Sequence, residues 1–239
     1  MPQIKAVIFD LSGVISLKQS TTMYWKKLEN EQNLPEGSIK KTLLSKEFAA
    51  ISYDLFTGNR SAEEIEENEF IRLFNRQHNT ASEPLPVIRN WFGEGTSSID
   101  LDGNIVEAID ALRDAGIKVA LLTNNYYLNK QRTLRRLPSD RSRFDVIVES
   151  CVEGVMKPHE SIYRLTTDRL ALRPSECIFV DSQKIHCDTA KHLGMRTIFA
   201  LANEREYTLC ELEDMLNEDA LSDESNSYES DSDSTEQSS

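Results

Sequence analysis

Five polar side chains with complementary chemistry lie at or just beyond the ends of apolar runs. They are Asp10 after IKAVIF, Thr123 and Asn124 after IKVALL, Lys157 in GVMKP, and Asp181 after CIFV. A carboxylate can act as a nucleophile and form an aspartyl-phosphate. A hydroxyl and an amide can donate hydrogen bonds to phosphate oxygens, and a lysine can neutralise negative charge. A second carboxylate can help to hold Mg²⁺, which prefers oxygen ligands. This combination of residue types indicates a site that handles an anion.

The apolar runs that position these residues are typical of short buried strands. They cover residues 4–9, 117–122, 144–149, 177–180 and 196–200. Helical spacing of apolar residues separates the later runs, over 105–115, 160–171 and 187–193. Strands that alternate with helices predict an α/β fold with a parallel sheet and helices on both faces. Such sheets bind their ligands at the carboxyl ends of the strands, where the polar residues stand.

Residues 16–95 interrupt this alternation. The segments 20–32, 37–47 and 62–77 have helical patterns, and no convincing strand separates them. The sequence therefore predicts a helical insert at 16–95, between the first strand and the rest of the sheet. The core of the protein is expected to comprise residues 1–15 and 96–206.

The acidity of the chain is concentrated at its end. The net charge is −13, but residues 206–239 contain twelve acids and no Lys or Arg. Residues 1–205 therefore hold 28 acids against 27 basic residues and are nearly neutral. We predict a last short helix over 207–217 and a disordered, acidic, Ser-rich tail over 218–239, because the tail has almost no apolar residues to bury. Ser230 and Ser232 stand among acids, so the tail is either a solubilising end or a site for an acid-directed kinase or a protein partner.

Several classes of protein are not expected. No apolar run approaches the roughly 20 residues that a membrane span needs. The N-terminus lacks the pattern of a signal peptide, so we expect a cytoplasmic protein. The four cysteines have no zinc-like spacing and indicate structural thiols in a reducing compartment. Five arginines fall within residues 131–143, but no nucleic-acid-binding motif accompanies them.

Longer motifs around the polar residues resemble a known family. They are AVIFDLSGVI, LFTGNRS, LLTNN, FDVIVESCVEGVMKPHESIY and IFVDSQKIHCDTAKHLGM. Over residues 4–200 the chain is similar to the haloacid dehalogenase-like (HAD) hydrolases, and most similar to the N-terminal phosphatase domain of soluble epoxide hydrolase. The resemblance implies a Rossmann-like core, a helical cap inserted after the first strand, Mg²⁺, and hydrolysis of a phosphate ester. Epoxide hydrolysis, which belongs to a different domain of that enzyme, is not expected.

The resemblance also assigns roles to four residues. Asp10 matches the nucleophile of the family, and Thr123 and Asn124 match its phosphate-binding pair. Lys157 matches the lysine that steadies the nucleophile and the phosphate. The implied ligand is a small anion or a phosphate ester.

Two positions depart from the pattern of the family. Ser12 stands where the phosphatases carry a second aspartate, which protonates the leaving group and then activates water. Ser182 stands where a metal-binding acid is expected, which leaves Asp10 and Asp181 as the ligands of a weakened Mg²⁺ site. Three interpretations remain open: an impaired or inactive phosphatase that keeps an anion-binding pocket, an active hydrolase with a substitute acid–base, or non-phosphate chemistry at Asp10 such as dehalogenation.

Overall fold

A five-stranded parallel sheet forms the centre of the protein. The computed structural model describes residues 3–16, 21–91, 98–201 and 204–230, without the side chains of 21, 22 and 220–230. The strands are β1 (Ala6–Phe9), β2 (Lys118–Thr123), β3 (Val146–Glu149), β4 (Cys177–Asp181) and β5 (Arg196–Phe199). Their order is β3-β2-β1-β4-β5, and every pair is parallel. The central strand β1 therefore ends between the carboxyl ends of β2 and β4.

Alternating side chains of β1 serve the two faces of the sheet. Val7 and Phe9 pack on the face covered by α6 (Gly103–Asp114) and α10 (Arg205–Ser230). Ala6 and Ile8 pack on the opposite face, which α8 and α9 cover. These two helices span Glu160–Leu170 and Lys184–His192, and the short α7 spans Ser150–Glu153. The predicted α/β fold, a Rossmann-like parallel sheet with helices on both faces, is confirmed.

Residues 21–91, which lie between β1 and α6 in the chain, are largely helical and have a core of their own. It contains α1 (Thr21–Glu31), α2 (Ser38–Leu43), α3 (Lys46–Phe56), α4 (Ala62–Ile65) and α5 (Ile71–His78), with a π-helical stretch at Glu66–Phe70 between α4 and α5. Apolar side chains from these elements bury one another in a separate cluster. We call this segment the cap. The predicted boundary between the insert and the core at 95–96 falls outside the described residues.

One helix of the cap was not predicted. The sequence pattern placed a single helix over 37–47, whereas α2 ends at Leu43 and α3 begins at Lys46. The hydroxyl of Ser45 accepts a hydrogen bond from the main-chain N–H of Phe48, and it therefore acts as an N-cap of a new helix.

The cap contacts the core at close range. The main-chain N–H of Ala62, at the start of α4, donates to the carbonyl of Tyr127 at 2.8 Å. The rings of Phe56 and Tyr126 meet edge to face, with centroids 5.8 Å apart. Gly58 lies so close to α7 that a β-carbon at this position would be 2.1 Å from the carbonyl oxygen of Cys151. These contacts fix the cap above the carboxyl ends of the strands.

The last helix is longer than the sequence indicated. The prediction ended it at 217 and expected disorder from 218, but α10 runs from Arg205 to Ser230. Leu212 is buried against the sheet, and the Asp219 carboxylate accepts a 2.6 Å hydrogen bond from the main-chain N–H of Ile4. These long-range contacts hold the helix beyond the predicted end, because they supply the burial that the local composition lacks. The predicted disorder of 231–239, including Ser232, lies outside the described residues.

Candidate active site

The polar residues singled out in the sequence converge at one edge of the sheet. Asp10 directly follows β1, and its main-chain N–H still bonds to the carbonyl of Val180 in β4 at 2.9 Å. Thr123 and Asp181 are the last residues of β2 and β4. Because the strands are parallel, these three residues end at the same edge. Lys157 reaches this edge from the loop between α7 and α8.

Lys157 is the centre of the arrangement and is completely buried. Its Nζ lies 2.7 Å from Asp10 Oδ1, 2.6 Å from Asp181 Oδ2 and 2.9 Å from the carbonyl oxygen of Leu122. An ammonium group has three hydrogens to donate. All three are used within the protein, so Lys157 orients the two carboxylates and neutralises one of their charges.

Burial and this lysine set the pKa values of the two carboxyl groups. Burial raises the pKa of Asp10, and the charge of Asp181 adds to the increase, although Lys157 opposes it. Burial also acts to raise the pKa of Asp181, but Lys157 and His186 outweigh it and hold that pKa below its usual range. Asp181 is therefore the ionised partner of Lys157, and Asp10 is the carboxyl group that protonates more readily.

Asn124 holds the main chain of Lys157 in place. Its side-chain oxygen accepts from the N–H of Lys157 at 2.9 Å, and its amide nitrogen donates to the carbonyl of Lys157 at 3.0 Å. The predicted phosphate-binding role of Asn124 therefore rests on its second amide hydrogen. Thr123 lines the same cavity as Asn124 and Asp10.

Ser12 and Ser182, the two departures from the family pattern, are in contact. The Ser182 Oγ donates a hydrogen bond to the main-chain oxygen of Ser12 at 3.1 Å. The turn Leu11–Ile15 brings this oxygen close through Gly13, whose φ of +80° suits glycine. A β-carbon on Gly13 would lie 3.2 Å from Ser182 Oγ. Neither serine carries a carboxylate that could act as a general acid at neutral pH.

His186 is a residue that the sequence analysis did not assign to the site. Its Nδ1 lies 3.0 Å from Asp181 Oδ2, and its side chain lines the cavity that also contains Asp10. The four histidines of the chain are scattered along the sequence, so their spacing alone does not point to His186. The sequence feature that could have identified it is a histidine five residues after a strand-terminal acid, in the first turn of the next helix.

The converging residues surround a cavity of about 350 Å³. Its floor is polar and comes from the sheet edge, and its other wall carries three aromatic rings, Phe56, Trp91 and Tyr126. The hydroxyl of Tyr126 donates to the carbonyl of Ile88, so the ring rather than the hydroxyl serves the cavity. The cavity is therefore suited to a small molecule with a polar end and an apolar end.

The residues at this edge do not fit a Mg²⁺ site. Both oxygens of the Asp181 carboxylate accept hydrogen bonds from nitrogen donors: Gln183 N–H on Oδ1, and Lys157 and His186 on Oδ2. The main-chain oxygen of Ser12 is bonded to Ser182, which leaves Asp10 as the remaining carboxylate. Within the described residues, no three His, Cys, Asp or Glu side chains form a metal-ligand cluster. Mg²⁺ is usually held by one or two carboxylates, and the one left here, Asp10, already accepts a hydrogen bond from Lys157, so this set falls short of such a site.

Comparison with known proteins agrees with this fold. The family model of the haloacid dehalogenase-like hydrolases matches residues 4–194. The chain belongs to this family. This HAD-like hydrolase is 32% identical in sequence to mouse acyl-CoA dehydrogenase family member 10 over 196 residues. It is 28% identical to pig bifunctional epoxide hydrolase 2 over 220 residues. The matches cover 81% and 88% of this chain but only 18% and 38% of those longer proteins.

Solved structures show the same fold in other HAD proteins. A HAD family enzyme from Bacteroides thetaiotaomicron matches with a TM-score of 0.59 and 20% identity, over 84% of this chain and 96% of that one. The same enzyme in complex with magnesium and inorganic phosphate matches with a TM-score of 0.56 and 21% identity, over the same shares of the two chains. None of the described helices of this HAD-like hydrolase is long and apolar enough to cross a membrane.

Proposed function

We propose that this HAD-like hydrolase is impaired or inactive as a Mg²⁺-dependent phosphatase and keeps a pocket for a small anionic ligand, such as a phosphate ester. The single observation that carries this proposal is the hydrogen bond from Ser182 Oγ to the main-chain oxygen of Ser12. It involves residues 12 and 182, whose neutral side chains stand where the family resemblance implies a general acid and a metal-binding acid.

The expected loss of activity is large. A positioned general acid–base typically contributes on the order of 10²- to 10⁴-fold to a rate, and Ser12 does not supply one. The metal site loses a unit of negative charge at Ser182, and Asp181 is engaged by three nitrogen donors. Both changes act on the same phosphatase reaction.

The charges at the site determine how an anion binds. Asp10, Asp181 and Lys157 together carry one net negative charge when both carboxyl groups are ionised, and Lys157 has no hydrogen left to donate. The ligand therefore depends on the donors of Thr123 and Asn124, and it is bound more tightly when Asp10 is protonated. Calorimetric titration with inorganic phosphate is expected to show tighter binding by Asp10→Asn than by the wild type. Equal or weaker binding by this variant would contradict the proposed pocket.

A second candidate function is an active hydrolase that uses Asp10 as the nucleophile together with a substitute acid–base. One observation favours it: His186 lines the cavity and is held by Asp181. This candidate requires turnover without Mg²⁺, whereas the first candidate requires only that the pocket binds a small anion.

Hydrolysis of p-nitrophenyl phosphate, with Mg²⁺ or with EDTA, tests the first candidate. The variants are Ser12→Asp, Ser182→Asp and the double variant, each compared with the same protein carrying Asp10→Asn. We expect Mg²⁺ to leave the rate of hydrolysis by the wild type unchanged and to increase the rate of hydrolysis by the double variant. Strong Mg²⁺-dependent turnover by the wild type would refute impairment. A well-folded double variant that remains inert would show that the pocket itself does not accept a phosphate ester.

We also propose that the protein is cytoplasmic. We further propose that its acidic segment 218–239 is a substrate for an acid-directed kinase at Ser230 or Ser232. The support is the run of acids around these serines. Mass spectrometry of the native protein that finds no phosphate in this segment would remove the kinase proposal.

A further inference from the structure

His186 lines the same cavity as Asp10. It lies in the first turn of α9, and its side chain is 13% exposed. Its main-chain oxygen accepts a hydrogen bond from the hydroxyl of the buried Tyr163 at 3.1 Å. The imidazole is bound to Asp181 on one side and lines the cavity on the other. Both the backbone and the ring of His186 are therefore fixed.

The partner of the ring determines where its hydrogen lies. Asp181 is wholly buried and already accepts hydrogen bonds from Lys157 Nζ and from the N–H of Gln183, so it is an ionised acceptor. An ionised carboxylate cannot donate, and the Nδ1 of His186 must therefore carry the hydrogen of their 3.0 Å contact. In a neutral imidazole this leaves the lone pair on Nε2. Within the described part of the chain, Nε2 has no hydrogen-bond partner.

We infer that His186 is the general acid–base of a metal-independent hydrolysis at Asp10, oriented by Asp181. The inference rests on the second candidate function. It assigns to His186 the proton transfers that Ser12 cannot perform, and it requires no charge from a metal ion.

The two steps of this reaction balance. First, a carboxylate oxygen of Asp10 attacks the phosphorus of a monoester, the bond to the ester oxygen breaks, and protonated His186 gives its proton to the leaving alcohol. Second, a water oxygen attacks the phosphorus, the Asp10–phosphorus bond breaks, and His186 Nε2 takes the proton from the water. The sum is ester plus water giving alcohol plus phosphate, with Asp10 and His186 restored.

The apolar wall of the cavity indicates which esters fit. Phe56, Trp91 and Tyr126 face the polar floor that contains Asp10. A phosphate monoester with an aromatic or other apolar alcohol would place its phosphoryl group at Asp10 and its apolar group against these rings. p-Nitrophenyl phosphate belongs to this class.

The leaving group of p-nitrophenyl phosphate makes it possible to tell which of the two steps needs His186. p-Nitrophenolate leaves without being protonated, so loss of His186 slows the second step more than the first. In EDTA, His186→Asn is expected to lower kcat on the order of 10²- to 10⁴-fold. It should accumulate a phosphoryl adduct on Asp10, visible by intact-protein mass spectrometry and absent when Asp10→Asn is added. The control His192→Asn changes an exposed histidine of the same helix and keeps the wild-type kcat.

Two results would overturn the inference. The first is a folded His186→Asn protein, verified by circular dichroism, with unchanged kcat and no adduct. The second is a wild-type protein without turnover in EDTA. In that second case, phosphate binding measured by calorimetry would still support the first candidate function, so the two failures are distinguishable. Recovery of turnover in His186→Asn by added imidazole would support the assigned role directly.

Discussion

Ser182 Oγ donates a 3.1 Å hydrogen bond to the main-chain oxygen of Ser12 and joins the start of α9 to the turn that follows β1. Two carboxylates at these positions would repel each other unless a cation lay between them. Two serines require no cation, because a hydroxyl donor can meet a carbonyl acceptor directly. The hydrogen bond therefore links the two segments at this edge of the sheet without a cation between them.

Removing the buried lysine should destabilise the protein strongly. Lys157→Met leaves two buried carboxylates without their cation, and breaking a buried ion pair in this way costs about 3–5 kcal/mol of unfolding free energy. The control Lys184→Met removes an exposed ion pair with Asp188 and should cost less than about 1 kcal/mol. Urea denaturation measures both. Equal losses would mean that Lys157 does not hold the two carboxylates as described.

Glu66 should make the stability of the protein depend on pH. It is fully buried in the cap, where its carboxylate accepts hydrogen bonds from the main-chain N–H groups of Ile88 and Arg89 and pairs with the Arg89 guanidinium. Burial outweighs these partners and raises its pKa from 4.5 to about 7. The contribution of Glu66 to the unfolding free energy is therefore fully present below pH 4.5. It is lost as the pH rises towards 7, and the total loss is roughly 3 kcal/mol.

Glu66→Gln isolates this effect, because an amide does not titrate. The unfolding free energy of the variant, measured in urea from pH 4.5 to pH 8, should fall less with rising pH than that of the wild type. Parallel curves for the two proteins would show that Glu66 does not titrate in this range.

The close approach of the cap to the core predicts unequal effects for two glycine substitutions. Gly37 and Gly58 both have a φ of +73°, but only Gly58 faces a neighbour, the Cys151 carbonyl. Gly37→Ala should cost about 1–2 kcal/mol for the left-handed backbone alone. Gly58→Ala should cost clearly more, because α7 or the cap must move. Thermal unfolding of Gly37→Ala and Gly58→Ala measures the two effects. Equal changes in Tm would contradict the contact between cap and core.

Docking of the last helix depends on Asp219. Asp219→Ala removes the acceptor of the main-chain N–H of Ile4 and should lower the unfolding free energy by about 1–3 kcal/mol. The matched change Glu218→Ala removes an exposed side chain that pairs with Arg196, and its effect should stay within about 0.5 kcal/mol. If Asp219→Ala is as mild as Glu218→Ala, the helix is not anchored at Ile4.

The sequence predicted the fold and the convergence of the site residues for a clear physical reason. Strand-terminal positions of a parallel sheet share one edge, so the order of strands and helices along the chain is enough to place Asp10, Thr123 and Asp181 together. The residue pattern also singled out Lys157 and Asn124, and the family resemblance assigned their roles. The pattern could not show that all three hydrogens of Lys157 are used, because their acceptors come from three separate strands or strand ends.

Two features escaped prediction because they depend on contacts between different segments. The pairing of His186 with Asp181 bridges a strand and the following helix, and neither residue alone indicates it. The contact of Asp219 with Ile4, 215 residues away, anchors α10 beyond residue 217, whereas the local composition there indicates disorder.

Calorimetric titration of MgCl₂ into the wild-type protein tests most directly whether Ser12 and Ser182 have abolished the metal site. The wild type is expected to show no saturable Mg²⁺ binding, while Ser12→Asp combined with Ser182→Asp gains a binding site that Asp10→Ala abolishes. Saturable binding by the wild type that Asp10→Ala removes would contradict the account.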